Sequence, residues 1–149
     1  MFDKLSLNAA CKEQHEAVLA KGFEHQPIAT NLMLIVSELS EAMEADRNNR
    51  HAKFETFEED LPKKHIGESG EELYELNDYK HTPIDKEYAQ KFYAIAFERS
   101  IKDTFEDEIA DAFLRLMDLC GEYGIDIERH ICMKAAYNQT RPIKHGKAY

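Results

Sequence analysis

Glycine and proline are scarce in this 149-residue sequence, with six of the first and four of the second. A β-sandwich or barrel needs many turns, so the shortage favours helices. Cysteine is scarce as well: Cys11, Cys120 and Cys132 are odd in number, widely spaced and form no C-x-x-C. That argues against a disulfide framework or a zinc site and suits buried thiols in a reducing cytoplasm. No segment approaches the ~20 apolar residues of a membrane span, and Met1 to Ala10 hold no apolar signal core. The expectation is a cytoplasmic chain without membrane contact, so the sequon Asn138-Gln139-Thr140 carries no meaning. Excess positive charge is missing too. The net charge is −10, which disfavours binding to duplex nucleic acid. Phosphate loops of the G-x-x-x-x-G-K-[ST] type, G-x-G-x-x-G, H-E-x-x-H and G-x-S-x-G are all absent from the sequence.

What is present is globular in character. Hydrophobic residues make up 43% and charged residues 32%, against global disorder. The length predicts one domain over 1–149. Apolar periodicity predicts helices over about 7–21, 27–47, 85–99, 102–122 and 126–140, an all-α bundle of four to five helices. In the second, Ile28, Leu32, Ile35, Val36, Leu39, Ala42 and Met43 form the expected core stripe. In the fourth it is Phe105, Ile109, Ala112, Phe113, Leu116 and Cys120, with Gly121 and Gly124 as the stop. In the helix at 85–99, Tyr88, Phe92, Ile95 and Ala96 are expected inward. The stretch 48–82 loses periodicity and reads as an excursion with helical turns near Phe54 and Leu73. From His130 to Tyr149 there is no acidic residue, a basic tail on an acidic body that could meet phosphate or be plain surface.

Glu38 and Glu41 lie three apart on one predicted helix, and Glu108 and Asp111 lie three apart on another. At about 100° per residue each pair is separated by about 60° and one turn, so its two carboxylates can reach one point. With Ile35 at zero, Glu38 projects at about −60° and Glu41 at about −120°, beside the apolar stripe. With Ile109 at zero, Glu108 and Asp111 project at about −100° and −160°. Carboxylates gathered at the edge of a core repel one another and lose hydration unless protonated or neutralised. Mg²⁺ is the natural neutraliser, because it is hard, prefers oxygen and bridges carboxylates to phosphates. The competing reading is solvated surface charge, with Arg115 as a helical partner of Asp111.

Three segments resemble the MazG-like, all-α nucleoside triphosphate pyrophosphohydrolase superfamily. Leu32 to Ala42, with its E-x-x-E, looks like the first metal helix. Asp107-Glu108-Ile109-Ala110-Asp111-Ala112, with its E-x-x-D, looks like the second. Lys134-Ala135-Ala136-Tyr137-Asn138, followed by Arg141-Pro142 and Lys144-His145-Gly146-Lys147, is similar to the C-terminal element. The resemblance implies a helical bundle that hydrolyses a (d)NTP to its monophosphate and pyrophosphate by water attack at the α-phosphorus. It implies Mg²⁺, with Mn²⁺ able to substitute, held by Glu38, Glu41, Glu108 and Asp111. Glu41 is then the candidate to orient or deprotonate the water. Lys134, Asn138, Arg141, Lys144, His145 and Lys147 become substrate contacts, and a homodimer or homotetramer is expected. Compact members join their metal helices by a shorter segment, whereas more than sixty residues separate Glu41 from Glu108 here. This insertion, 48–100, could be a lid, an oligomer contact or a selector of substrate; its Phe54, Phe57, Tyr74 and Tyr79 are assigned to local packing. Two other readings stay open: a non-catalytic nucleotide or metal sensor, and a helical interaction module.

Overall fold

The structure, a computed structural model, describes residues 6–67, 70, 72–76, 79–84 and 86–142. It is mostly helical. The helices are α1 (Leu7–Ala20), α2 (Ile28–Arg47), α3 (Phe54–Asp60), α4 (Lys86–Ser100), α5 (Phe105–Glu122) and α6 (Ile127–Gln139), and between α3 and α4 lie strands β1 (Lys63–Ile66), β2 (Glu72–Leu76) and β3 (Tyr79–Ile84). No helix among the described residues is long and apolar enough to cross a membrane. The chain divides into two compact units. One comprises 1–36 and 112–149, the other 37–111, so α2 and α5 each run from one unit into the other.

In the first unit, Ala10, Cys11, Met117 and Cys120 form a small buried cluster flanked by Leu7, Leu114 and Ile127. The starts of α1 and α6 cap each other. Asp126 accepts from the Arg129 N–H at 3.2 Å and from Asn8 Nδ2 at 2.7 Å. Asn8 Oδ1 accepts from the Glu128 N–H at 3.2 Å, and Glu128 accepts from the Leu7 N–H at 2.6 Å. Orphan helix N–H groups are satisfied in both helices at once. Glu122 binds Asn31 Nδ2 at 3.0 Å and also His25. Gly121 does not stop α5 as expected; Gly124 follows the helix instead, at φ 59°. Gly121 serves packing: a Cβ there would stand 2.3 Å from the Cys11 carbonyl oxygen and 2.8 Å from His15 Cβ.

In the second unit, α2 ends at Arg47; beyond it Asn49 takes the left-handed conformation at φ 53°, and the Arg50 N–H returns to the Ala45 carbonyl at 2.9 Å. The excursion is more ordered than its sequence suggested. The expected turn at Phe54 is a helix, while the one at Leu73 is a strand. There β2 pairs antiparallel with β1 (Lys63↔Glu75, Ile66↔Glu72) and with β3 (Tyr74↔Ile84, Leu76↔Tyr79). The run Glu72-Leu73-Tyr74-Glu75-Leu76 does not alternate polar with apolar, and cross-strand pairing supplies the stability that local propensity does not. Helix α5 begins later than expected, because Thr104 forms its cap: the Thr104 hydroxyl accepts from the Asp107 N–H at 3.4 Å, and Asp107 reaches back to the Asp103 N–H at 3.0 Å.

Of the expected core stripes only the small residues Ala42, Ala96, Ala112 and Cys120 are buried, and the bulky ones are not. On α2 the buried residues are Glu38, Ala42 and Ala45. Leu32, Val36, Leu39 and Met43 are about half exposed in the single chain. The buried strip is thus turned by about 100° from the bulky apolar stripe. On α4, Ala89, Ala96 and Ser100 are buried while Tyr88 and Ile95 are exposed. On α5, Ile109, Phe113 and Leu116 are exposed, and Ala112, Met117, Leu119 and Cys120 are buried. Small residues on the inner faces let the backbones approach closely.

Gly121→Ala separates helix propensity from packing. Propensity alone would favour alanine by about 1 kcal/mol. Contact with the Cys11 backbone should outweigh it and destabilise the protein by about 1–3 kcal/mol. Urea denaturation checks the sign; a variant as stable as the parent would contradict the close approach.

Candidate metal centre

Two helices and one connecting segment assemble the acidic residues within the second unit. After α2, the chain at Arg50–Ala52 is tied to the first turn of α5. The Phe105 N–H donates to the Arg50 carbonyl at 2.9 Å, and the Ala52 N–H donates to Glu106 Oε2 at 2.8 Å. His51 Nδ1 lies 3.2 Å from Glu106 Oε1. The Ala52 N–H, with smaller help from His51, holds the Glu106 carboxyl below its ordinary range. The sequence reading did not single out Glu106, although it fastens the end of one acidic helix to the start of the other. Its signal was present in the three consecutive acids Glu106, Asp107 and Glu108, which favour a helix N-terminus through its dipole.

Given this tie, oxygens of Glu38, Glu41 and Glu108 come within 4.8 Å of one another. Glu38 and Glu108 are buried, at 8% and 6% exposure, and Glu41 is exposed. Ser37 Oγ donates to Glu41 Oε1 at 3.3 Å. Asp111 is exposed and stands outside this close group, one turn along α5. It still acts on Glu108. Burial first, then the charges of Glu41, Glu38, Asp107 and Asp111, push the Glu108 carboxyl up to about 7. Burial likewise raises Asp107, opposed by the Asp103 N–H.

The donor set fits a hard divalent cation. All three groups are carboxylates, without nitrogen or sulfur, a set that suits Mg²⁺, Mn²⁺ or Ca²⁺ over zinc. Octahedral Mg²⁺ holds its oxygens at about 2.0–2.1 Å, so opposite ligands stand about 4.2 Å apart. Oxygens that all lie within 4.8 Å of one another are compatible with sharing one such cation. Acidic clusters also occur without a metal, and a proton on Glu108 is the other way to relieve this one.

Lys134, Asn138 and Arg141 belong to the first unit and are exposed, with Lys134 Nζ 5.2 Å from the centre of the Tyr137 ring. Lys144, His145 and Lys147 lie outside the described residues. Phe57 packs edge-on against Tyr93 and Phe97, in keeping with local packing, whereas Phe54 is exposed. Neither Tyr93 nor Phe97 was singled out by sequence, since aromatic residues on a helix carry no distinct signal.

Because its folded value is raised, Glu108 stabilises the fold fully below 4.5, its ordinary value, and that contribution is lost as pH rises through about 7. The metal-free protein should lose stability across this window, and Glu108→Gln should lose less. Excess Mn²⁺ should restore stability at the alkaline end of the window and release protons on binding. Denaturation in EDTA and in Mn²⁺ across this range checks the sign; identical pH profiles for parent and variant would refute it. The chain matches no protein-family model, no curated protein and no solved structure.

Proposed function

We propose that this chain is a divalent-cation-dependent nucleoside triphosphate pyrophosphohydrolase built on a MazG-like bundle. The observation that carries the proposal is the convergence of Glu38, Glu41 and Glu108 from sequence positions far apart, two of them buried. Burying like charges together is costly, and an oxygen-seeking cation offsets that cost while giving an acidic protein a hold on an anionic substrate. The resemblance of the same residues to the E-x-x-E and E-x-x-D helices points to the same chemistry.

Glu38, Glu41, Glu108 and Asp111 would hold Mg²⁺, or Mn²⁺ in its place. Bound there, the cation would supply positive charge to the phosphate oxygens of the substrate. Glu41 is exposed and accepts from Ser37, so it is the carboxylate placed to orient a water and take its proton. The water oxygen bonds to the α-phosphorus, the α–β bridging P–O bond breaks, and pyrophosphate leaves with the electron pair. Glu38 and Glu108, held by the packing around them, keep the cage in register. The exposed Lys134, Asn138 and Arg141 are proposed as substrate contacts, as the resemblance implies.

We also propose that the chain works as an oligomer. In the single chain Leu39 and Phe113 are 47% and 55% exposed, and repeated uncovered apolar positions on one helix face mark an interface.

With Mg²⁺ and a panel of (d)NTPs, the purified protein should release pyrophosphate. Glu38→Gln and Glu108→Gln should each lower kcat by more than about 100-fold, beyond the range for residues that merely support a metal ligand. Their circular dichroism should be unchanged, and undiminished turnover in either would exclude the site. By sedimentation, the parent should run as a dimer or larger, and Leu32→Glu with Phe113→Glu should shift it toward monomer. A parent that sediments as a monomer rules out the assembly.

A further inference from the structure

A cavity of about 490 Å³ lies within the second unit, lined in part by Asp107 and Asp111 of α5. Ligand pockets run from about 300 to 1,000 Å³, so it is large enough for a small planar group. Tyr93 and Phe97 of α4 form one wall, Asp107 and Asp111 of α5 the other, and Glu98, Lys102 and Asp103 stand around them. Asp107 and Asp111 stand on α5 one residue before and three after Glu108, so the cavity shares that helix with a carboxylate that meets Glu38 and Glu41.

The aromatic wall is braced. Tyr93 and Phe97 have ring centres 6.4 Å apart and planes only 16° from parallel. Phe57 meets them edge-on, at 5.4 Å and 82° for Tyr93 and 6.3 Å and 83° for Phe97. Three mutually packed rings cannot swing independently, yet Tyr93 stays 52% exposed. A partly open aromatic face braced by neighbouring rings, beside charged groups, is a platform on which a nucleobase can stack.

The polar side of the cavity narrows the choice. It holds four carboxylates and one cation, Lys102. Such a lining repels phosphate but not an uncharged base. Ionised carboxylates only accept hydrogen bonds. They match the exocyclic amine of cytosine, adenine or guanine, whereas uracil and thymine carry a carbonyl oxygen at the corresponding edge.

We infer that this cavity is the base subsite of the proposed hydrolase, in which a base bearing an exocyclic amine lies against Tyr93 and Phe97 and faces the carboxylates of α4 and α5. The inference rests on the pyrophosphohydrolase reading for its substrate, and on the cavity alone for its location. It gives the insertion a task, because α4 belongs to the extra segment between the two acidic pairs.

The test separates the two claims by using nucleosides, which have no phosphate. In EDTA, cytidine and adenosine should bind the intact protein, as followed by ligand-observed NMR, and uridine and thymidine should bind at least several-fold more weakly. Tyr93→Leu should weaken cytidine binding about 10-fold or more, and Tyr93→Phe, which keeps the ring, should not. In turnover, Tyr93→Leu should raise KM for the triphosphate by about 10–100-fold. Its Mn²⁺ affinity should stay near that of the parent, and Tyr93→Phe, which keeps the packed ring, should also keep the parent's melting temperature. Pyrophosphate release with KM unmoved by Tyr93→Leu overturns the subsite and leaves the hydrolase standing. Nucleoside binding that depends on Tyr93, without pyrophosphate release by the parent, upholds the subsite and overturns the hydrolase. Uridine bound as tightly as cytidine overturns the assignment of the carboxylates to an amine.

Discussion

Two glutamates buried against each other's charge are the constraint around which the second unit is arranged. Glu38 and Glu108 stand on different helices, and each is far less exposed than a carboxylate ordinarily is. Burial first, and then the charges of Glu41 and Glu38, raise the cost of ionisation, visible in Glu108 at about 7. A fold tolerates such a pair only when other contacts over-determine its position. Here those contacts are the hydrogen bonds from Arg50, His51 and Ala52 to the first turn of α5, together with the Thr104 cap.

The same constraint explains which faces are inside. Placing Glu38 inward obliges α2 to bury the strip it shares with Ala42 and Ala45. The larger apolar side chains then fall on another face and remain open in the single chain. A helix can bury one stripe against its own chain and still offer a second to a neighbour. The acidic site and the uncovered apolar stripe are therefore two consequences of one rotation of α2.

Much of the helical content was legible in the sequence because the signals are local. Apolar periodicity marks the helices and Gly124 the end of α5, through preferences that act over a few residues. Less was legible in the insertion. The strand Glu72–Leu76 depends on its pairing with β1 and β3, and its own propensity does not announce it. Gly121 was misread for a related reason: glycine is a helix stop by local preference, but here its missing side chain admits the Cys11 backbone. Of the acidic residues, Glu38 and Glu41 were marked by spacing on one helix, and Glu108 and Asp111 on another. Spacing could not show that Asp111 stands apart from the closest three, or that Glu106 ties the helices together.

By itself, the sequence determined the helices, the acidic pairs and the lack of any other familiar catalytic pattern, since each follows from residue types within a few positions. Tertiary structure alone decided which helix faces are buried, that Glu38, Glu41 and Glu108 converge, and that Tyr93 and Phe97 pack with Phe57 and line a cavity with Asp107 and Asp111. Those outcomes depend on hydrogen bonds and steric contacts between residues distant in the chain, and helical periodicity carries no information about which partner a face will meet.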